Sequence, residues 1–483
     1  MPLVVALSGW RGLDGPLPGQ PPRRAFLLGL VCGVAYFIGT IYWTSAVLAT
    51  FGGMPLPLAV GAMAVLALYL ASYPALAALA TAQLIARAGR SGIFFLPAAW
   101  VATEFGRGVL FGGFPWVPLG NSQVTVLPVA QLASVLGVYG LSALVALVNA
   151  SIAYAMLTPG RRRVWALSAI GALLVGVAAW GTWRVADGSL TREGAPLRVG
   201  LVQGNIDQAD KWRPEEARRI ITTYIAMTRD VVRRGAEYVL WPESSTPFAF
   251  ETDPAADALI RDLARETGVP VLFGSEQIVQ DPETRLYNAA FLVGPDGDTA
   301  AVYRKMHLVP FGEFFPFQKW LTFAVPLVER LVPFSAGQSV VMLPVGSHLT
   351  STAICYEVVY PALVRAAVAE GSELLTTITN DAWYGRSSAP HQHFALASMR
   401  AIEQGRYLAR AANTGISGVV DPYGRIVQRS SLFEQVGLVE EVRLLTHRTV
   451  YSLLGDVVAY VALALTSVAL LVTGRRRPAG RRP

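Results

Sequence analysis

The chain is poor in the residues that keep a protein soluble or staple it together. Only 15% of its 483 residues are charged, where soluble domains carry roughly 25%, and mean hydropathy is +0.42. That excludes a single water-soluble globule. Cysteine occurs only as Cys32 and Cys355. Cys32 stands in a long apolar run, so a disulfide framework is excluded. Three of the 40 basic residues are lysines, Lys211, Lys305 and Lys319. Arginine serves any generic cation role here, whereas catalysis can need lysine as a compact cation with a tunable pKa, which draws attention to Lys305. The net charge of +7 is not gathered into a basic stripe with a reading motif, so no nucleic-acid partner is expected.

What the chain has in quantity is apolar length. Five long segments precede residue 190, roughly Ala25–Leu48, Leu56–Ile85, Ile93–Leu110, Val129–Leu157 and Val164–Ala186, and a sixth runs from Tyr451 to Val472. Each is near the length of about 20 residues that crosses a bilayer as a helix. The third carries Glu104 and Arg107, spaced to pair on one helix face, either at an interface or toward the interior of a bundle. Arg23-Arg24, Arg87, Arg90, Arg161-Arg162-Arg163 and Arg475-Arg476-Arg477 all fall on alternate ends of these segments. The intervening loops, at Phe51-Gly-Gly-Met-Pro and from Gly112 through Thr125, have no basic residue. Basic loops stay cytoplasmic, so both termini are expected inside and the polar region outside. Residues 1–24 are apolar at their start but too short to span, and lack the basic flank and cleavage site of a secretory signal. The expected organisation is a short segment 1–24, a bundle of about five spans over 25–189, a catalytic domain over 190–450, and a last span with a basic tail over 451–483.

From Pro196 the pattern changes. Leu197–Gln203, Glu237–Glu243, Val269–Ser275, Asn288–Val293, Leu349–Cys355 and Glu373–Asn380 read as strands, and Glu215–Arg234 and Asp257–Thr267 as helices. Strands alternating with helices predict an α/β domain with buried sheets. Three strand or loop ends carry chemistry: Glu243 in Trp-Pro-Glu-Ser, Lys305 in Tyr-Arg-Lys-Met-His, and Cys355 in Ile-Cys-Tyr-Glu. A lone cysteine is commonly just a small buried hydrophobe. A thiol beside a carboxylate base and an ammonium has, however, what a nucleophile and its oxyanion need, without histidine.

Trp241-Pro-Glu-Ser, Tyr303-x-Lys305, His307-Leu-Val-Pro-Phe-Gly-Glu313, Ile354-Cys-Tyr-Glu357 and Asn380-Asp-Ala-Trp-Tyr-Gly385 together resemble the nitrilase (carbon–nitrogen hydrolase) superfamily. With the flanking apolar segments and the loops Phe51-Gly-Gly-Met-Pro and Gly113-Phe-Pro-Trp, the chain resembles the bacterial apolipoprotein N-acyltransferase family over nearly its whole length. The resemblance implies a nitrilase-like αββα sandwich inserted between transmembrane helices. It implies Glu243 as general base, Lys305 as transition-state stabiliser and Cys355 as nucleophile, with Glu313, Tyr356, Glu357, Trp212, Asn380 and Trp383 supporting the site. It further implies a phospholipid acyl donor, a diacylglyceryl-apolipoprotein acceptor, a thioester on Cys355, no metal and no organic cofactor. The setting it implies is a monomer in the bacterial inner membrane with its catalytic domain on the extracytoplasmic side. The family pattern usually has eight spans, so the chain is expected to lack the first one or two, with the short apolar start of residues 1–24 the remnant of a lost or mis-annotated segment.

Three rival readings compete. Cys355 with a histidine would make a papain-like pair. His391-Gln-His393, if on a strand, would put two metal ligands on one face; replacing both by alanine is expected to spare catalysis. A membrane-tethered amidase or nitrilase would share the triad and differ in its acceptor, water in place of an amine. Finally, Phe311 to Ala336 is very apolar and includes Phe314, Phe315, Phe317 and Trp320. It reads either as an arm packed on the sandwich or as a lid that dips into the outer leaflet, where aromatic residues are favoured.

Overall fold

Uncharged helix formers and alternating strand formers separate along this chain, and the architecture follows that separation. The computed structural model describes residues 1–9, 17–280, 283–310, 312–314 and 333–475, the last three without side chains. Phe311, the apolar stretch 315–332, Asp281, Arg476 and Arg477 lie outside the described residues. Two units divide the chain: Met1–Asp187 with Leu454–Pro483, and Gly188–Leu453.

The first unit is helical. Its main helices are α1 (Pro22–Ile41), α2 (Leu56–Ala88), α3 (Leu96–Val109), α4 (Ala133–Leu157) and α5 (Arg161–Asp187), with a further helix at Val457–Arg475. By length and composition, the segments Pro22–Ile41, Leu56–Gly112, Ala133–Leu157 and Arg161–Thr191 can cross a membrane, and a shorter apolar helix covers Val457–Val472. Prolines stand in the first turn of α1, α2 and α3, where a missing N–H costs nothing. The third expected span is shortened: α3 has 14 residues, about 21 Å of helix. Glu104 and Arg107 are both buried, yet they do not pair. Arg107 donates to the Phe114 and Trp116 carbonyls at 2.6 and 2.8 Å. Glu104 accepts from the Leu119 N–H at 2.8 Å and the Ser142 hydroxyl at 2.5 Å. The two charges therefore pin the loop after α3 by satisfying its backbone groups.

The second unit holds two six-stranded sheets. Its strands are β1 (Ala195–Gln203), β2 (Tyr238–Leu240), β3 (Val271–Gln280), β4 (Thr284–Val293), β5 (Thr299–Arg304), β6 (Leu343–Val345), β7 (His348–Ile354), β8 (Leu374–Thr379), β9 (Leu408–Ala412), β10 (Gly418–Val420), β11 (Ile426–Arg429) and β12 (Val436–Leu444). The orders are β12-β1-β2-β3-β4-β5 and β11-β10-β9-β8-β7-β6. Each sheet has a parallel centre, β1-β2-β3 in one and β7-β8-β9 in the other, bordered by antiparallel strands. Helices α6 (Pro214–Arg233) and α7 (Pro254–Thr267) cover the first sheet. Ile220, Tyr224 and Val231 of α6, with Ile260 and Leu263 of α7, pack on Val239, Trp241, Val271, Phe273, Phe291 and Val293. The i, i+2 spacing of those strand residues puts them all on one face. Helices α8 (Pro361–Ala369) and α9 (Ala389–Gln404) belong to the second sheet. Between the sheets, Gln203 of β1 donates to the Ser431 and Glu434 carbonyls and accepts from Ser417 and Ser430. The result is the α/β domain with buried sheets that the strand and helix alternation anticipated, in the αββα layering that the family resemblance implied.

Candidate active site

The polar residues of the site stand just beyond the carboxyl ends of their strands. Glu243 lies three residues past β2, Lys305 directly follows β5, Cys355 follows β7, and Asn380 and Asp381 follow β8. Parallel neighbours in an open sheet gather such ends along one edge, where ligands bind. Gly274 of β3 permits the approach of Glu243: a Cβ there would sit 2.4 Å from the Ser244 nitrogen and 2.6 Å from the Glu243 Cα.

Around Glu243 the contacts are dense. Lys305 Nζ donates to Glu243 Oε1 at 3.2 Å and to Glu313 Oε1 at 2.8 Å. The Asn288 amide donates to the same two oxygens, at 2.8 Å each. The Asn380 N–H reaches Glu243 Oε2 at 2.9 Å, and the Val309 N–H reaches Glu313 Oε2 at 2.8 Å. Lys305, 1% exposed, and Glu243, 6% exposed, are thus a buried ion pair with a second carboxylate. Burial alone would raise the Glu243 pKa. Lys305, the Asn288 amide, the Asn380 N–H and Lys211 outweigh it and hold the carboxyl below its usual range. Burial would lower Lys305, but Glu243, Glu313 and then Cys355 hold it well above an ordinary lysine.

Cys355 opens a short 3₁₀ turn, Cys355–Val359, and its φ of 53° is in the left-handed region that a side-chain-bearing residue seldom occupies. Burial, and after it the Glu243 charge, pushes the thiol well above its ordinary pKa, while Lys305 and the Thr379 hydroxyl pull the other way. The thiol is therefore protonated at rest. Glu357 ties this turn to the Lys305 segment. Its Oε2 accepts from the Ile354 N–H at 2.8 Å, and its Oε1 accepts from the Met306 and His307 N–H groups and the Tyr303 hydroxyl at 2.6, 3.1 and 2.9 Å. Tyr356 is buried and packs edge-on against Tyr360, whose ring meets His307 at a tilt, with centroids 3.8 Å apart.

The structure brings Glu243, Lys305 and Glu313 into direct contact, links Asn380 to Glu243, and joins Glu357 to the Cys355 turn. Trp212 and Trp383 differ: the two residues are 47% and 39% exposed. Trp212 sits in the loop before α6, where Lys211 Nζ lies over its ring and donates to the Glu243 carbonyl at 3.4 Å. Gln208 of the same loop accepts from the Asn380 amide at 2.7 Å.

Sequence reasoning missed four contributors. Asn288 is an amide in an apolar strand. Lys211 is buried, and burial lowers its pKa to about 8 against the opposing Glu243 and Glu276 charges. The other two are Asp381 and Arg410, whose side chains are fully buried and meet at 2.8 Å. The His391–His393 reading is corrected. Both residues lie on α9, not a strand, so a separation of two turns them to different faces. His391 is exposed and His393 is fully buried. Ligand atoms of Cys355, Asp381 and His393 lie within 4.8 Å of one another, but Arg410 Nη2 already contacts Asp381 and His393 at 2.8 and 3.0 Å. A resident metal ion would meet that guanidinium, so the donor set does not fit one.

Residues 198–446 match the carbon–nitrogen hydrolase family, and residues 13–151 match the N-terminal domain of apolipoprotein N-acyltransferase. The apolipoprotein N-acyltransferase of Geobacter metallireducens is 39% identical over 95% of this chain and 88% of its own length. That of Methylococcus capsulatus is 35% identical over 95% and 89%. A solved amidase from Nesterenkonia sp. aligns over 53% of this chain and 93% of its own, at 23% identity and a TM-score of 0.40.

Proposed function

The chain belongs to the apolipoprotein N-acyltransferase family, and on that premise we propose that Cys355 carries a phospholipid acyl chain as a thioester and passes it to the N-terminal amine of a diacylglyceryl-cysteine lipoprotein. The observation that carries this reading is the buried Lys305, held between Glu243 and Glu313 and close enough to Cys355 for each to shift the other's pKa.

With the thiol protonated and Glu243 ionised at rest, the proton moves to Glu243 as sulfur attacks the ester carbonyl. Lys305 and the Tyr356 N–H hold the oxyanion. The lysophospholipid alkoxide leaves with the proton from Glu243, and the acyl chain stays on sulfur. The acceptor amine then attacks the thioester, Glu243 takes its proton, and the thiolate leaves and is reprotonated. Glu313 and Asn288 fix the orientation of both triad charges, while Glu357 keeps the Cys355 turn in register with Lys305. Trp212 and Trp383 supply exposed aromatic surface beside the site for lipid chains. The protein works as a membrane-embedded monomer without a nucleic-acid partner. The arginine pattern supports an inner-membrane topology with residues 190–450 outside the cytoplasm.

The test is mass spectrometry of the purified protein in detergent with phospholipid and, separately, with a diacylglyceryl peptide. An acyl adduct on Cys355 that is discharged by the peptide amine, and that Cys355→Ala cannot form, is expected. Transfer by Cys355→Ala, or discharge to water at the same rate with and without peptide, would point to the amidase instead.

A further inference from the structure

Cys355 keeps a left-handed backbone, with φ of 53°, that nothing in its own side chain stabilises. The group that meets that backbone is His393. Its Nε2 lies 3.1 Å from the Cys355 carbonyl oxygen. Its Nδ1 lies 3.0 Å from Arg410 Nη2 and 3.0 Å from Asp381 Oδ1. Arg410 Nη2 also donates to Asp381 Oδ2 at 2.8 Å, and the Thr379 hydroxyl donates to Asp381 Oδ1 at 2.9 Å. The side chains of His393, Asp381 and Arg410 are all 0% exposed, and the Tyr384 ring stands edge-on to the imidazole.

The proton on the ring follows from these partners. A guanidinium only donates, so an Nδ1 that faces Arg410 is an acceptor. On the other side of the ring, Nε2 faces the Cys355 carbonyl oxygen, which can only accept, while Asp381 Oδ1 has a donor in Thr379. The remaining proton is on Nε2 and points at the Cys355 carbonyl. Burial and the nearby Arg410 charge lower the His393 pKa, in keeping with a neutral ring, though Asp381 opposes them. In that state both ring nitrogens are committed. The imidazole has no lone pair to offer the thiol, so it is not the base of a papain-like pair, although its atoms lie close to the Cys355 sulfur.

We propose that His393 is the positioning residue of Cys355: it donates from Nε2 to the Cys355 carbonyl and so holds the strained turn that aims the thiol, with Asp381 and Arg410 fixing its tautomer. This rests on Cys355 being the nucleophile. The earlier expectation that His393→Ala spares catalysis is thereby reversed, while that for His391→Ala stands.

The test compares two amides of equal charge. Glutamine places its NH₂ near the position of Nε2, asparagine near that of Nδ1. Thioester formation on Cys355 is followed by intact mass in a single turnover with a soluble short-chain ester, for wild type, His393→Gln, His393→Asn and Cys355→Ala. His393→Asn is expected to slow the step about 100-fold with KM within ~2-fold of wild type, and His393→Gln to stay within ~5-fold, since small misplacements of a reacting group carry losses of that order. An asparagine variant as fast as wild type, equal losses in both variants, or a change confined to KM overturns the proposal. Independently of how the variants fold, ¹⁵N-histidine spectra of the wild-type protein at pH 7 must show a histidine protonated at Nε2 alone, and its absence also overturns it. Failure of wild type itself to form the Cys355 adduct removes the thioester reading and this inference together. An adduct that forms equally well in His393→Asn removes only this one.

Discussion

From the first sheet come Glu243 and Asn288, with Lys305 just beyond its last strand and Glu313 in the loop that follows. From the second come Asp381 and Arg410, with His393 from the helix α9. Both clusters are buried, both pair a carboxylate with a cation, and both act on the pKa of Cys355. They differ in the cation. Lysine is a compact charge whose proton can be moved, while arginine is a fixed fork that stays charged. The first cluster is suited to handling a proton and a developing oxyanion. The second is suited to holding shape, since Arg410 satisfies Asp381, His393 and the Ile416 carbonyl at once. Two buried clusters, each built on a carboxylate–cation contact, thus serve two different ends, and the side-chain chemistry decides which.

The largest effect that separates them is on rate. Glu243→Gln and Lys305→Arg are expected to lower thioester formation by about 10³-fold or more, with thermal midpoints near wild type, because each leaves a buried partner in place through Glu313 or Asn288. Retention of activity in Lys305→Arg, read in the same mass assay, would erase the distinction between the two cations. Next comes stability. Asp381→Asn strands the Arg410 charge in the interior and is expected to destabilise the second unit by about 3–5 kcal/mol, measured by denaturant-induced unfolding or limited proteolysis. A stable but inactive Asp381→Asn would move Asp381 into the chemistry.

A smaller effect concerns Glu357, which joins the two sides. Burial raises its carboxyl from 4.5 to about 7 despite three backbone donors and the Lys305 charge. The folded protein therefore binds this proton more tightly than the unfolded chain. The stability this group contributes is fully present below about pH 4.5 and is lost as pH rises through about 7. Asp381 has the opposite sign. Burial would raise its carboxyl, but the Arg410 charge and the Thr379 hydroxyl hold it below the usual range, so its contribution is lost only as pH falls below its ordinary value. Thermal melts between pH 4.5 and 8 should fall more steeply for wild type than for Glu357→Gln, and parallel curves would contradict the raised carboxyl. The smallest effect is at the surface. Arg229 and Glu266 meet through two hydrogen bonds at 2.8 and 2.6 Å, better geometry than Lys305 with Glu243, yet each is about half exposed. Solvent screens such a pair, so Arg229→Ala should leave both melting and acylation unchanged within error.

Much of this was legible in the residues. Glu243, Lys305 and Cys355 stand out because each closes an apolar strand or loop with a reactive group, and the strand-helix alternation predicts an α/β domain with buried sheets, the two-sheet sandwich coming from the family resemblance. Other parts were hidden for physical reasons. The strands β6, β10 and β11 have three or four residues, too few for a period to register. His393 was read with a period of two where the chain has 3.6, which paired it with His391 and hid its place behind Cys355. Arg410, in Leu-Ala-Arg-Ala-Ala, did carry a signal: a charge in an otherwise apolar strand requires a buried partner. Asn288, between Tyr287 and Ala289, carried the same one. Neither names its partner, because the partner comes from another strand or loop.

The Glu357 carboxylate acts as a rivet between the thiol's turn and the ammonium's loop, four hydrogen bonds on two oxygens. A rivet of this kind leaves the reacting atoms little freedom to rearrange between the first substrate and the second. If sulfur is loaded and unloaded as proposed, two half-reactions with differently shaped lipids run on one fixed anvil, and any slackening of Glu357 should slow both by the same factor.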